Sequence, residues 1–412
     1  MRKIIALIIS AVFLILSFSS CSVLEKDAQQ LMGAPVHTGN NNLIIKSVEE
    51  YLGGDFSLLY PSEDEQSNAI TVFGGGTDAA VLCKSGPKLL CLYLKQAETW
   101  QVINSVELSA EQILNSELKS FDAGEGLLVF YKNAEKTCLD VLIIDSEIKK
   151  DKTIECNFYL AADFDADKKD EITVFTDDKT QLYNTDTSAS PLASLDYCVD
   201  TEKSNITAGK FFDDINAVFI DDSKNGEIKS QVIYLKNNEF VKAVASDDGI
   251  SHYDEKIVSL DINSDGITEV PFVSLMPGYD SDEAVYFIDY KQYNSVEFES
   301  AVSGDFDFNN SYYINFPDKW KGSVTVKIDS ANNTRTYLSY SEEQNKFGAE
   351  LLKVGVYTKD EYTKIDKGNI IELSTQGDKV YVAKILNKLN KYAVDEAQVK
   401  EMFNLINRGD KK

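Results

Sequence analysis

Residues 160–175 read LAADFDADKKDEITVF and residues 258–272 read VSLDINSDGITEVPF. Each stretch leaves an apolar run, passes through a short turn of alternating oxygen-bearing side chains, and returns to an apolar run. In the first, Asp163, Asp165 and Asp167 alternate and Glu171 stands ninth. In the second, Asp261, Asn263 and Asp265 alternate, Gly266 permits a tight turn, and Glu269 stands ninth. Calcium takes six to eight hard oxygen ligands at about 2.3–2.6 Å, and alternating side-chain oxygens on a tight turn converge on one ion. The backbone carbonyl at the seventh position, Lys169 or Ile267, adds another oxygen. The twelfth positions, Val174 and Phe272, lack the bidentate carboxylate of an EF-hand, and the flanks read as strands. The reading is a β-hairpin calcium loop, in which bound Ca²⁺ neutralises carboxylates and clips the hairpin. Solvated acidic turns are the plainer alternative in so acidic a chain. They do not explain four oxygens at the same offsets twice, each time between apolar runs.

Outward from these loops, residues 46–305 read as many short strands, among them AITVF, AAVLC, LLCLYL, LLVFY, CLDVLIID, NAVFID, QVIYL and AVYFIDY. Val, Ile, Tyr and Phe dominate, and turn residues such as Lys236-Asn237-Asn238 and Asn225-Gly226 interrupt them every 8 to 12 positions or so. Ala110–Leu118 reads as one or two helical turns. A weak internal repeat runs through the region. TAGKFFDDINAVFI (207–220) has the same apolar-turn-apolar form, with Lys210 in the place of Asp163, so the steps to Asp261 are 47 and 51 residues. KSFDAGEGLLVFY (119–131) and ITVFGGGTDAAVLC (70–83) are two more eroded copies. A step of about 48 residues is that of one four-stranded propeller blade. The predicted class is mainly β: a β-propeller of about five to seven blades, some degenerate, followed by a smaller α+β domain.

The loops DFDADKKDEI and DINSDGITEV resemble the FG-GAP/VCBS repeats of integrin-type β-propellers. The resemblance implies Asp163, Asp165, Asp167 and Glu171 as one set of ligands, and Asp261, Asn263, Asp265 and Glu269 as the other. Lys168 departs from the family's glycine. The family closes six or seven blades, whereas five copies are visible here.

The ends of the chain are of different character. MRKIIALIISAVFLILSFSSC has a basic start, an apolar run too short for a comfortable membrane span, and small residues before Cys21. Its ending resembles a bacterial lipobox, which implies a signal peptide (1–20), a lipidated Cys21 and export to the outer face of the cell membrane. Two acyl chains suffice for stable anchoring. Polar residues 21–45, with Gly39-Asn40-Asn41-Asn42, read as a flexible tether. Residues 306–412 form the predicted α+β domain. Its tail DEAQVKEMFNLINR reads as an amphipathic helix started by Asp395, with Val399, Met402, Phe403 and Ile406 on one face. This domain resembles PsbP-like modules in FPDKW, LLKVGVY and the closing helix, and no functional residue is carried over from them. Asp305-Phe306-Asp307-Phe308-Asn309 reads as a linker or strand edge.

The net charge of −26 argues against nucleic acid and against anionic lipid headgroups as partners. With 43% hydrophobic residues, this is nonetheless a folding chain. Of the five cysteines after Cys21, four sit in apolar surroundings as buried strand thiols, although Cys83 and Cys91 flank Pro87 symmetrically and a disulfide between them is open. His37 and His252 read as bystanders, and no GxSxG, HExxH or P-loop context appears. The expected function is a surface-anchored, calcium-stabilised binding module for a protein or glycan of the cell envelope. The alternative is an extracytoplasmic hydrolase of cell-wall glycan or peptide, using a carboxylate pair that only space brings together.

Overall fold

The alternation of β-branched and aromatic residues with polar ones is realised as strand almost throughout. Strand accounts for 56% and helix for 8%, a mainly β, β-propeller-like fold. The computed structural model describes residues 39–62, 68–134, 136–183, 190–224, 227–243, 252–283 and 285–406. The signal sequence, Cys21, most of the tether, His37 and the Asn225-Gly226 turn lie outside the described residues.

The described strands form six antiparallel sheets. Sheet I contains Ile70–Phe73, Asp78–Ser85, Lys88–Gln96 and Trp100–Leu108, with Ser57–Leu58 at its edge. Three four-stranded meanders follow: sheet II (Gln112–Phe121 to Ile148–Glu155), sheet III (Phe158–Ala162 to Ala193–Leu195) and sheet IV (Asn205–Phe212 to Glu239–Lys242). Sheet V runs Val270–Leu275, Tyr286–Tyr293, Phe298–Asp307, Tyr312–Asn315 and then Phe403–Leu405. Sheet VI is ordered Val324–Asp329, Thr334–Ser341, Lys346–Thr358, Lys379–Ile385, Ile371–Gln376. All five copies of the sequence repeat fall at the start of a sheet, from I to V. The Lys236–Glu239 turn has both central residues, Asn237 (φ 52°) and Asn238 (φ 62°), in the left-handed region that a tight hairpin requires.

The chain divides into two compact units. In the first (residues to Pro61, 68–109 and 146–148), sheet I packs against the helix Gly39–Leu52. Ile44 and Val48, one helical turn apart, are fully buried against Val81, Leu92 and Trp100, and Ser47 Oγ donates to the Trp100 carbonyl at 2.8 Å. Residues 39–45, expected in the tether, therefore begin a docked helix. Cys83 and Cys91 are free thiols. The hairpin closes on Ser85↔Lys88, so Cys83 pairs with Leu90 and Cys91 with Leu82. That register is one residue off the symmetry about Pro87, and a one-residue shift turns the two side chains to opposite faces.

In the second unit, the hydrophobic faces of successive sheets meet in shared cores. Phe130 and Val141 of sheet II pack with Ile172 and Val174 of sheet III. Phe175 and Leu182 of sheet III pack with Val218 and Ile220 of sheet IV, and Phe219 of sheet IV packs with Val270 and Phe298 of sheet V. The first hairpins are also bonded to one another at equivalent positions. Asp170 N–H donates to the Ser120 carbonyl (2.7 Å), Asn216 Nδ2 to the Asp163 carbonyl (2.7 Å), and Thr268 N–H to the Lys210 carbonyl (2.8 Å). Residue Ala217 stands where Glu171 and Glu269 stand in their own sheets, which explains why the copy at 207–220 reads as eroded.

Three other expectations change. Residues 112–121 are a strand, not helical turns, with a register shift between Ile113 and Asn115 that buries Ile113 and Leu114 together. The C-terminal helix stops at Met402, and Phe403–Leu405 pairs with Tyr312–Ile314. Asp395 caps the helix as expected, accepting from Gln398 N–H at 2.9 Å, and Val399, Met402, Phe403 and Ile406 are all buried. Asp305 and Asp307 end a buried strand and are no linker. Arg335 of sheet VI donates to both (2.5 and 3.3 Å), and Tyr337 Oη donates to Asp305 at 2.8 Å.

Candidate metal centre

Each acidic turn leads into a strand of its sheet. Residues 163–170 link Phe158–Ala162 to Glu171–Phe175, and residues 261–268 lead from a Leu260↔Glu269 bridge into Val270–Leu275. The second residue of each turn is apolar and buried, Phe164 at 0% and Ile262 at 2% exposure, and it pins the turn to the core. Its N–H donates to the ninth-position glutamate, Phe164 to Glu171 Oε2 at 2.7 Å and Ile262 to Glu269 Oε2 at 2.9 Å.

The first aspartate then organises the turn. Asp163 accepts from Asp167 N–H (3.2 Å) and Lys168 N–H (2.9 Å), and Asp261 accepts from Asp265 N–H (3.0 Å) and Gly266 N–H (2.9 Å). Position three accepts from the N–H of position five, through Asp165 (3.1 Å) and Asn263 (2.9 Å). Position five accepts from the N–H of position seven, Lys169 (2.7 Å) and Ile267 (2.8 Å). The fourth and sixth residues are left-handed in both turns: Ala166 (φ 67°), Lys168 (73°), Ser264 (62°) and Gly266 (88°). Two segments of different sequence thus share one backbone, the alternation of short acceptors folding the chain around its own side chains.

Ligand oxygens of Asp163, Asp165 and Glu171 lie within 4.8 Å of one another, as do those of Asp261, Asp265 and Glu269. Asp167, predicted with the first group, is exposed and outside that cluster. Glu171 and Glu269 are 1% and 0% exposed. Burial pushes Glu171 up to about 8 against the Phe164 hydrogen bond, with the charges of Asp165, Asp167 and Asp163 adding to it. Burial likewise raises Glu269 to about 7, opposed by bonds from Ile262 and Gln292. Asp165 is raised by burial and by its aspartate neighbours. In Asp265, burial is outweighed by donors from Ile267, Gln292 and Asn263, and the carboxyl is lowered. Among the described residues, no lysine or arginine pairs with these carboxylates; Lys169 Nζ turns instead to Ser120 Oγ at 3.3 Å. An all-oxygen donor set around a buried carboxyl without a basic partner fits a hard divalent cation.

Sequence reading missed Gln292. It lies beyond Lys291, the partner of Val270, on the neighbouring strand of sheet V. Its Nε2 donates to Asp265 Oδ2 (2.5 Å) and Glu269 Oε1 (2.7 Å). Nothing local marks it, since strand pairing alone brings it to the turn.

A groove of about 1030 Å³ lies on the second unit, lined by Phe130, Phe158, Lys132, Asp177, Asp200 and Glu202 among others. In sheet III it sits by the Phe158↔Phe175 end, opposite the Ala162↔Glu171 end that carries the acidic turn. His252 is buried at 2% exposure and pairs through its backbone with Ile228. Burial lowers its imidazole to about 4.

Fold and turns together define a class: a β-propeller-like protein with two matching acidic hairpin turns. No protein-family model matches the chain, and no curated protein matches it. Solved structures similar to it include the periplasmic gluconolactonase PpgL of Pseudomonas aeruginosa, with 10% identity and TM-score 0.32 over 70% of this chain and 86% of that one. A protein from Lactobacillus plantarum has 11% identity and TM-score 0.29 over 72% and 86%. Sqt1 from Chaetomium thermophilum has 10% identity and TM-score 0.32 over 78% and 83%. At such scores these likenesses carry no argument about activity.

Proposed function

We propose that this chain is an exported, Cys21-lipidated binding module whose FG-GAP/VCBS-like turns each take a calcium ion. The observation that carries the reading is the pair of matching turns, each gathering carboxylates around a buried glutamate that has no basic partner among the described residues. Asp163, Asp165 and Glu171 hold one ion with the Lys169 carbonyl, and Asp167, outside that cluster in the ion-free turn, joins them when the ion draws its carboxylate in; Asp261, Asn263, Asp265 and Glu269 hold the other with the carbonyl of Ile267. Calcium supplies the positive charge that lets each glutamate ionise inside the fold. The role is structural, a clip between the first two strands of a sheet, and the ligand-facing surface lies elsewhere. The groove beside Phe130 and Phe158 suits a small polar segment of protein or glycan.

The test is a thermal melt of the protein with calcium and with chelator. Calcium raises the melting temperature by several degrees, and Asp261→Ala reduces that gain more than Asp163→Ala, because Gly266 relieves the second turn of the strain that Lys168 leaves in the first. An unchanged melting temperature would remove the metal from the account.

A further inference from the structure

The two turns are nearly the same in backbone and differ in what reaches them from outside. In the first, the acceptors are bonded by backbone N–H groups of the turn itself. In the second, the same set is present and one side chain joins it. Gln292 crosses from the adjacent strand and places one amide nitrogen between Asp265 Oδ2 and Glu269 Oε1. These are the fifth- and ninth-position ligands, separated in sequence and repelling each other when both are ionised. A neutral donor held on a strand of the same sheet fixes both oxygens facing inward, without bringing a charge that competes with a cation. A third side-chain bond, Asn263 Nδ2 to Asp265 Oδ2 at 2.9 Å, holds the same carboxylate from within the turn.

We infer that Gln292 is a positioning residue that makes the 261–269 turn the tighter of two unequal calcium sites. The inference rests on the calcium reading above and goes beyond it by adding to the backbone strain at Lys168 a second source of the difference between the sites, one amide. Outer partners of metal-ligating carboxylates are typically worth 10–100-fold in affinity, and a carboxylate keeps lone pairs for the ion while it accepts from the amide. The first turn has no such side-chain donor among the described residues, so it fills at higher calcium concentration.

The experiment isolates one site at a time by isothermal titration with calcium alone. In an Asp163→Ala background, Gln292→Leu and Gln292→Ala each weaken the remaining site 10–100-fold, while the melting temperature of the chelator-treated protein falls by less than that of the calcium-bound protein. In an Asp261→Ala background, Gln292→Leu leaves the affinity of the first turn unchanged. Unaltered affinity in the first background overturns the assignment. So does a loss of affinity matched by an equal fall in chelated stability, which marks packing and not positioning. If the Asp163→Ala parent itself binds no calcium, it is the calcium reading that fails, and the two failures are thereby told apart.

Discussion

At Glu171 and Glu269 a carboxyl is 1% and 0% exposed with other carboxylates at hand. Both are raised above the ordinary glutamate range, to about 8 and about 7, chiefly by burial. A carboxyl whose folded pKa exceeds its unfolded value holds more protons in the native state. Its contribution to stability is therefore present below about pH 4.5 and is lost as the pH rises through 7 to 8. The calcium-free protein is accordingly expected to lose stability between pH 5 and 8, by roughly 1–3 kcal/mol per glutamate. Glu171→Gln and Glu269→Gln flatten that slope. Calcium affinity runs the other way and rises over the same window, since the proton competes with the ion, and binding releases protons. Melting curves across pH, with titrations in buffers of different ionisation enthalpy, check both signs. A calcium affinity flat from pH 5 to 8 would contradict the assignment of these glutamates as ligands.

At the scale of the element, each acidic turn is a hairpin connection that spends its side-chain oxygens on its own backbone. Two left-handed residues are needed in each, and only one of the four, Gly266, is a glycine. Lys168 occupies the equivalent place at φ 73°, a conformation that disfavours a side chain by about 1 kcal/mol. Lys168→Gly is expected to make the first turn easier to form and to strengthen its calcium binding several-fold, up to about ten-fold for 1.4 kcal/mol. Titration of the Asp261→Ala protein with and without Lys168→Gly measures it, and an unchanged or weaker affinity would count against strain as a contributor to the difference. The same scale shows why the Ala110–Leu118 and 39–45 readings changed. Ile113-Leu114 in one case and Ile44/Val48 in the other are short apolar patterns whose period is settled by the surface they meet.

Across the second unit, sheets are joined by side chains that no single element specifies. Arg335 is the clearest of these. It reaches from sheet VI to Asp305 and Asp307 on sheet V, with Asp305 2% exposed and also bonded by Tyr337. Removing one partner of such a set leaves charge buried and unpaired, at a cost of about 3–5 kcal/mol. Arg335→Ala is expected to lower the stability of the second unit by that amount in denaturant titration. A loss below about 1 kcal/mol, the value of an exposed pair, would show that the cluster admits water. The C-terminal residues act at the same scale. Phe403–Leu405 completes sheet V from a point about ninety residues beyond the strand it pairs with.

The acidic turns, the strands around them and the repeat that spaces them were legible in the sequence, because hairpins are local: the residues that make the turn also supply the acceptors that fold it. The capped start of the last helix was legible for the same reason. Tertiary structure alone decided that Gln292 stands at the second turn, that Cys83 and Cys91 face apart, that residues 39–52 dock as a helix, and that Asp305 and Asp307 meet Arg335. Each of these depends on a pairing register or a packing partner far away in the chain, and a shift of one residue in that register turns every side chain to the other face. Local chemistry writes the turns; the distances between them belong to the fold.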